Sequence, residues 1–342
     1  MPLHSAIRAK RKGRVQVPSK PVVVVTRRLP DPVQTRMREL FDAEFNLEDR
    51  GLTHDELKAA AARAEILVPT VSDEIDAEII AAGGDSLKMI ANFGAGVDHI
   101  DRRAAHDQGI VVTNTPGVLT EDTADMAMTM ILACARRLSE GERVLRAGGF
   151  SGWAPTWMMG RSLRGKRLGV IGLGRIGQAV ARRARAFDMH VHYHNRNPVS
   201  PAIEKALEAT YWPELDDMLA HVDVVSVNCP STRETRHLLN AKRLDRLRPE
   251  ALLVNTSRGD VIDEAALAGR LKDGRLAGAA LDVYENEPDI HPTLLELENA
   301  VLVPHMGSAT IESRTAMGEK VIVNIRVFTD GHRPPDRVLY EG

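Results

Sequence analysis

The chain has 342 residues, enough for about two domains of ordinary size. With 43% hydrophobic and 27% charged residues and only 26 Gly and 18 Pro, it is neither disordered throughout nor collagen-like nor low in complexity. A net charge of −2 excludes a polyanion-binding surface spread over the whole molecule. Two cysteines, Cys134 and Cys229, are too few for a disulfide framework and lack metal-ligand spacing, so both are expected as reduced, packed thiols.

The charge is unevenly placed. Residues 1–20 carry Arg8, Lys10, Arg11, Lys12, Arg14 and Lys20 and no acid, a charge of +6, which leaves −8 for the rest. This arm reads as a solvated, disordered tail. A nucleic-acid or membrane-surface role is the weaker alternative, and a transit peptide lacks the serines and amphipathic run it needs. No secretory signal is visible. The longest apolar stretch, Met126 to Ala135, falls well short of the ~18 residues of a bilayer span. The expectation is a cytoplasmic protein with no nucleic-acid partner and no membrane.

From Pro21 onward short apolar strands alternate with amphipathic segments. Val22–Thr26, rich in β-branched residues, predicts a buried strand, and Pro32 to Phe41 a helix. Thr53 and Glu56 have capping-box spacing and start the next helix. Ile66–Val68, Lys88–Asn92 and Ile110–Thr113 predict strands, with helices at Asp73–Ala82 and Asp98–Ala105. Thr120 is expected to cap a long helix running to about Arg146, ended by Gly148-Gly149 and followed by a loop bearing Trp153, Pro155 and Trp157. A second series has strands at Leu168–Ile171, His190–His194, Val222–Asn228, Leu252–Asn255, Gly278–Asp282 and Ala300–Pro304. The final helix spans Ile311 to about Thr329. Such alternation predicts an α/β fold with doubly wound parallel sheets.

Gly172-Leu173-Gly174-Arg175-Ile176-Gly177 lies between a predicted strand and a helix over Gln178–Phe187. In that context the first glycine permits the tight turn, the second lets backbone approach a pyrophosphate, and the third lets helix and strand pack closely. The helix N-terminus offers free N–H groups to the phosphates. At the end of the next strand, where an acid usually holds the ribose of NAD, stand Asn195, Arg196 and Asn197. Asn195 can bond a ribose without repelling a phosphate, and Arg196 can pair with a 2′-phosphate. NADP(H) is therefore preferred, with NAD(H) possible.

Arg258, Glu287 and His305 fall after the late strands, where open α/β sheets bind ligands. Each alone has an ordinary reading as a solvated, surface or structural residue. Together with Asn92-Phe93-Gly94-Ala95-Gly96-Val97-Asp98-His99, Asn114-Thr115-Pro116-Gly117-Val118-Leu119-Thr120, the glycine motif and Pro304-His305-Met306-Gly307-Ser308-Ala309-Thr310, they resemble the D-isomer-specific 2-hydroxyacid dehydrogenases. The likeness runs from about Val22 to Val327 and is nearest the glyoxylate/hydroxypyruvate reductase branch.

The resemblance implies a flavodoxin-like substrate domain of residues 21–118 plus 308–342, interrupted by a Rossmann domain of residues 119–307. It implies a homodimer built partly by the helix after Thr120, in which Trp153 or Trp157 can reach the partner's active site or simply pack at the interface. It assigns Arg258, Glu287 and His305 to catalysis, with Ala95, Gly96, Val97 and Arg258 holding the 2-oxoacid. Thr123, Gly172, Gly174, Arg175, Ile176, Gly177, Asn195, Arg196, Asn197, Cys229, Pro230, Thr235, Thr256, Asp282, His305 and Gly307 would hold the cofactor, and no metal is called for. The chemistry suits the side chains: Arg258 is a permanent fork for a carboxylate, and amides near Ala95 and Gly96 form an anion nest. Imidazole titrates near neutrality, and Glu287 beside His305 would favour its proton-donating form. Formate dehydrogenases carry glutamine where Glu287 stands. Phosphohydroxypyruvate reduction, or a dinucleotide-sensing corepressor-like role, remains as an alternative.

Overall fold

The computed structural model describes residues 20–340. The disordered-arm expectation therefore lies outside the described residues except at Lys20, whose ammonium donates to the Arg38 carbonyl at 3.1 Å.

The first five strands are β1 (Val22–Val25), β2 (Asp42–Phe45), β3 (Ile66–Val68), β4 (Met89–Ala91) and β5 (Val111–Thr113). All pair in parallel, in the order β2-β1-β3-β4-β5. Between them run α1 (Asp31–Leu40), α2 (His54–Arg63), α3 (Ala77–Ala82) and α4 (Arg102–Asp107). The valine run shows why both sheet faces are dry: Val23 and Val25 enter one core cluster and Val24 the other, as the two-residue period of a strand requires.

Next come α5 (Thr120–Ala135) and α6 (Leu138–Arg146), then β6 (Arg167–Ile171), α7 (Arg175–Ala186), β7 (His190–His194), α8 (Pro201–Leu207), β8 (Ala209–Tyr211), α9 (Leu215–His221) and β9 (Val224–Val227). The chain continues through α10 (Ala241–Leu244), β10 (Leu252–Asn255), α11 (Glu264–Lys272), β11 (Gly278–Leu281), α12 (Pro292–Glu296), β12 (Ala300–Leu302) and α13 (Ile311–Thr329). The second sheet is also parallel throughout, ordered β12-β11-β10-β9-β6-β7-β8. Its winding reverses between β6 and β9, the switch point at which such folds bind dinucleotides.

Two helices cross between the sheets. α5 buries Ala124, Ala127, Met128, Met130 and Ile131 in the core of the second sheet. α13 returns to the first sheet, burying Met317, Val321, Ile322 and Ile325 beside Val33 and Met37. A Cβ on Gly318 would lie 2.4 Å from Val33, so glycine sets how closely α13 approaches α1.

Several predicted boundaries move for physical reasons. The predicted helix Asp98–Ala105 starts only at Arg102, capped by Asp101, because Asp98 is engaged elsewhere. That at Asp73–Ala82 starts at Ala77, capped by Asp76, while buried Asp73 accepts from the Thr26 hydroxyl at 2.6 Å. The helix expected from Thr120 to Arg146 is two helices. Arg137 adopts φ 53° and bonds Glu140 with both guanidinium arms at 2.7 and 2.6 Å, while the Arg161 amide takes the Ala135 carbonyl at 2.7 Å. Thr120 is the first helical residue and its side chain caps nothing. α7 begins at Arg175, inside the glycine motif. The sequence reading omitted β2 and β8, which are short, partly polar edge strands.

Candidate active site

The substrate-facing loop follows β4. Asn92, fully buried, donates to the carbonyls of Gly94 and Gly96 at 3.1 and 2.8 Å, and Asn114 donates to that of Ala95 at 2.7 Å. With these carbonyls turned down into the protein, the amides of Gly94, Ala95 and Gly96 make no hydrogen bond among the described residues. The loop thus presents a row of free donors, as an anion-binding nest does. The partly buried Val97 side chain packs against the cluster built on Val24, Leu57 and Ile100.

Arg258 leaves the loop after β10 and meets this nest. Its Nε donates to Asp98 Oδ2 at 2.9 Å and its Nη1 to the Ser257 carbonyl at 2.8 Å. A Cβ on Gly96 would stand 1.9 Å from Nη2, so glycine makes room for the guanidinium. Burial would raise the Asp98 carboxyl, but the Arg258 hydrogen bond and charge hold it below the usual carboxylate range. Asp98 therefore orients the fork, a role that its place at a predicted helix start did not signal.

Glu287 and His305 come together from loops after β11 and β12. Glu287 Oε2 lies 2.8 Å from His305 Nδ1, and Oε1 accepts from the Tyr284 amide at 3.0 Å. Burial works against ionisation of Glu287, but the hydrogen bond and charge of His305 and the charge of Arg258 keep its carboxyl low. The supporting loop is pinned by buried Glu264, which accepts from the amides of Glu285 and His291 at 2.9 and 2.8 Å. His305 adopts φ 49°. The turn after it is held by Asp282, which accepts from the amides of Met306 and Gly307 at 2.6 and 2.8 Å. Burial pushes the Asp282 carboxyl up.

The Gly94–Gly96 nest, Asp98, Arg258, Asp282 and His305 line one interdomain cleft of about 320 Å³, walled also by Phe93, Leu119, Thr123, Ile176, Asn228–Ser231, Thr256, Ser257, Gly307, Ser308, Arg314 and Met317, while Glu287 supports His305. Inside it the buried Asn228 Oδ1 and Thr256 Oγ1 have no partner, the signature of polar atoms awaiting a ligand. At the switch point Gly172 has φ 93°, and a Cβ there would sit 2.7 Å from the Cys229 amide nitrogen. A Cβ on Gly177 would lie 2.2 Å from the Gly172 carbonyl, whereas one on Gly174 would face open space. The first and third glycines thus serve packing, and the second leaves room for a pyrophosphate at the start of α7. Arg175 opens that helix. The residues present fit a dinucleotide.

Other predicted cofactor residues are placed differently from one another. Thr123, Ile176, Cys229, Pro230 and Gly307 wall the cleft. Thr235 instead closes its own turn, donating to the Pro230 carbonyl at 2.7 Å. Asn195 is half-buried, and its Oδ1 accepts from the Leu173 amide at 2.7 Å, tying the β7 end to the glycine loop. Arg196 and Asn197 are exposed. Arg196 bonds nothing among the described residues, though Glu234 stands near enough to feel its charge.

Known proteins share this arrangement. Residues 128–307 match the family described as D-isomer specific 2-hydroxyacid dehydrogenase, NAD binding domain. Glyoxylate reductase of Pyrococcus furiosus is 42% identical over 326 residues, 94% of this chain and 96% of the relative. That of Thermococcus onnurineus is 41% identical over 326 residues, 94% and 97% of the two chains. The chain belongs to the D-isomer-specific 2-hydroxyacid dehydrogenase family. Among solved structures it is similar to the NADPH-dependent glyoxylate/hydroxypyruvate reductase of Sinorhizobium meliloti in complex with NADP and malonate. The TM-score is 0.81 and the identity 36%, with coverage of 94% of this chain and 97% of that one. As in the family, the cofactor is a nicotinamide dinucleotide.

Proposed function

We propose that the protein reduces glyoxylate or hydroxypyruvate to the corresponding 2-hydroxyacid, the D isomer where the product is chiral, with NADPH preferred and NADH accepted. The observation that carries this reading is the convergence of Arg258, His305 and the free amides of Gly94–Gly96 in one cleft at the dinucleotide switch point, with Glu287 held against His305 Nδ1. The relatives named above support the choice of substrate.

The residues divide the work. Arg258 and the amides of Ala95 and Gly96 hold the 2-oxoacid carboxylate, with Asp98 keeping the guanidinium in register. When bound, the reduced nicotinamide supplies a hydride to the ketone carbon. His305 donates a proton from Nε2 to the oxygen as charge develops there, while Glu287 holds Nδ1 and stabilises the protonated ring. Asp282 fixes the turn carrying His305 and, on the cleft wall, would help orient the nicotinamide. Thr123, Thr256 and Asn228 would supply polar partners to the dinucleotide, and the Gly172 to Gly177 turn would hold its phosphates.

NADP preference rests on Arg196, exposed and unbonded among the described residues at the end of β7, where its guanidinium is free to pair with a 2′-phosphate. The cores support the division into 21–118 plus 308–342 and 119–307, since α13 joins the first sheet and α5 the second. Homodimer formation is supported by α6, which buries none of its own residues, by its Leu138 and Leu145, and by Phe150, Trp153 and Met159 in the loop after it, each more than half exposed. Trp157 stacks on Phe150 with centroids 5.7 Å apart. Among the described residues no helix is long and apolar enough to cross a membrane, and a reducing cytoplasm suits the free thiols of Cys134 and Cys229.

The test is steady-state turnover of a 2-oxoacid panel with NADPH and NADH. The expected result is turnover of glyoxylate and hydroxypyruvate with higher kcat/KM for NADPH, and loss of that preference in Asn195→Asp/Arg196→Pro. Tight dinucleotide binding without turnover of any 2-oxoacid would overturn the reading in favour of a sensor.

A further inference from the structure

The cleft contains two guanidinium groups in unlike states. Arg258 is neutralised by Asp98 and already spends donors on it and on Ser257. Glu287 and His305 form a second pair. Arg314, which walls the same cleft from α13, has no hydrogen-bond or ion-pair partner for its side chain among the described residues, so its five N–H donors are unspent. Burial lowers its affinity for a proton, and only the charge of Asp282 acts against that, while both Asp282 oxygens are committed to the Met306 and Gly307 amides.

The position of Arg314 is built rather than accidental. The Thr310 hydroxyl accepts from the Ser313 amide at 3.0 Å and donates to Asp122 at 2.7 Å, and the Ser313 hydroxyl donates to the Val118 carbonyl at 3.3 Å. The first turn of α13 is thereby fastened to the start of α5. Ser308, also on the cleft wall, has a hydroxyl that likewise bonds nothing among the described residues. A cation largely withdrawn from water and facing a cavity calls for an oxygen acceptor supplied by the ligand. The substrate carboxylate already has a receptor in Arg258 and the Gly94–Gly96 amides.

We propose that Arg314 is a specificity-determining residue that binds an oxygen-bearing group on the carbon beyond the ketone, so that the cleft selects 2-oxoacids carrying a hydroxyl or carboxylate there over glyoxylate, which has none. The proposal rests on the 2-oxoacid reading above. Its test is the ratio of kcat/KM for hydroxypyruvate and for oxaloacetate, each over glyoxylate, in the wild type, Arg314→Met and Arg314→Lys, with thermal unfolding recorded for each. Arg314→Met is expected to lower both ratios at least about tenfold, as the loss of a charge-assisted hydrogen bond does, and Arg314→Lys to recover most of the oxaloacetate ratio. Ratios within about threefold of wild type in Arg314→Met overturn it, whether activity is unchanged or falls equally on all three. An equal fall would place the role of Arg314 in the Asp282–His305 turn. A wild type that turns over none of the three compounds overturns the functional reading, and this proposal with it.

Discussion

Replacing Gly96 with alanine tests the carboxylate clamp without touching a charged residue. The new Cβ would stand 1.9 Å from Arg258 Nη2 and 2.8 Å from Asp98 Oδ1. An ordinary contact is about 3.5 Å, so the guanidinium must withdraw by roughly 1.5 Å. The glycine's own backbone is not left-handed, so alanine adds no dihedral strain, and a flexible side chain is what gives way. Stability is expected to change little, whereas a displacement of about 1 Å at a group that positions the reacting centre costs on the order of a hundredfold in rate, or about 2.7 kcal/mol. The assay is kcat/KM for glyoxylate with NADPH, beside thermal unfolding. Because the fork is already displaced, Arg258→Lys in the Gly96→Ala background should cost far less than in the wild type. A Gly96→Ala enzyme with unchanged unfolding temperature and kcat/KM within about threefold of wild type would refute the role given to Arg258.

Other consequences are as direct. His305→Ala should lower kcat roughly 10²–10⁴-fold if it is the proton donor, and near-normal turnover of glyoxylate would remove it from that role. Glu287→Gln takes the carboxylate from the ring, so the alkaline limb of the reductive pH profile should move to lower pH; an unmoved limb contradicts the pairing. Gly174→Ala meets no atom within 4 Å, so unfolding should stay within about 0.5 kcal/mol of wild type while the KM for NADPH rises; a normal KM would place the pyrophosphate elsewhere. Burial, with His221, Arg167 and His190 nearby, holds His192 at about 4 against an ordinary 6.5, and its Nδ1 accepts from the Trp212 indole at 3.1 Å. A histidine depressed in the folded state contributes stability above about 6.5 that is lost as pH falls through about 4. Unfolding temperature should therefore decline across that window, less steeply in His192→Gln, and equal slopes would refute it.

The fold was largely legible because both sheets obey strong local rules. The valine run of β1 and the capping box at Thr53, which the structure shows intact, are short-range signals needing no distant partner. The glycine motif was equally readable, since each glycine answers to backbone within one strand–turn–helix unit. The edge strands β2 and β8 were not, because a strand paired on one side and half wet lacks the apolar run by which a buried strand is recognised.

At the site, the sequence alone determined which chemistry was on offer: an arginine, a glutamate and a histidine after successive strands of a dinucleotide fold. Tertiary structure decided how they are used. Asp98 was predicted as the start of a helix, but Arg258, 160 residues away, claims it. Val97, adjacent in sequence to the anion nest, packs its partly buried side chain against the cluster of Val24, Leu57 and Ile100. Thr235 spends its hydroxyl on its own turn, whereas Thr256 keeps one free. Arg314 is an ordinary first-turn helix residue in sequence, and only the return of α13 to the first sheet sets its charge in the cleft. Local propensity and spacing are written in neighbouring residues. Whether a polar group is free or spent depends on partners that only the closed fold brings within about 3 Å.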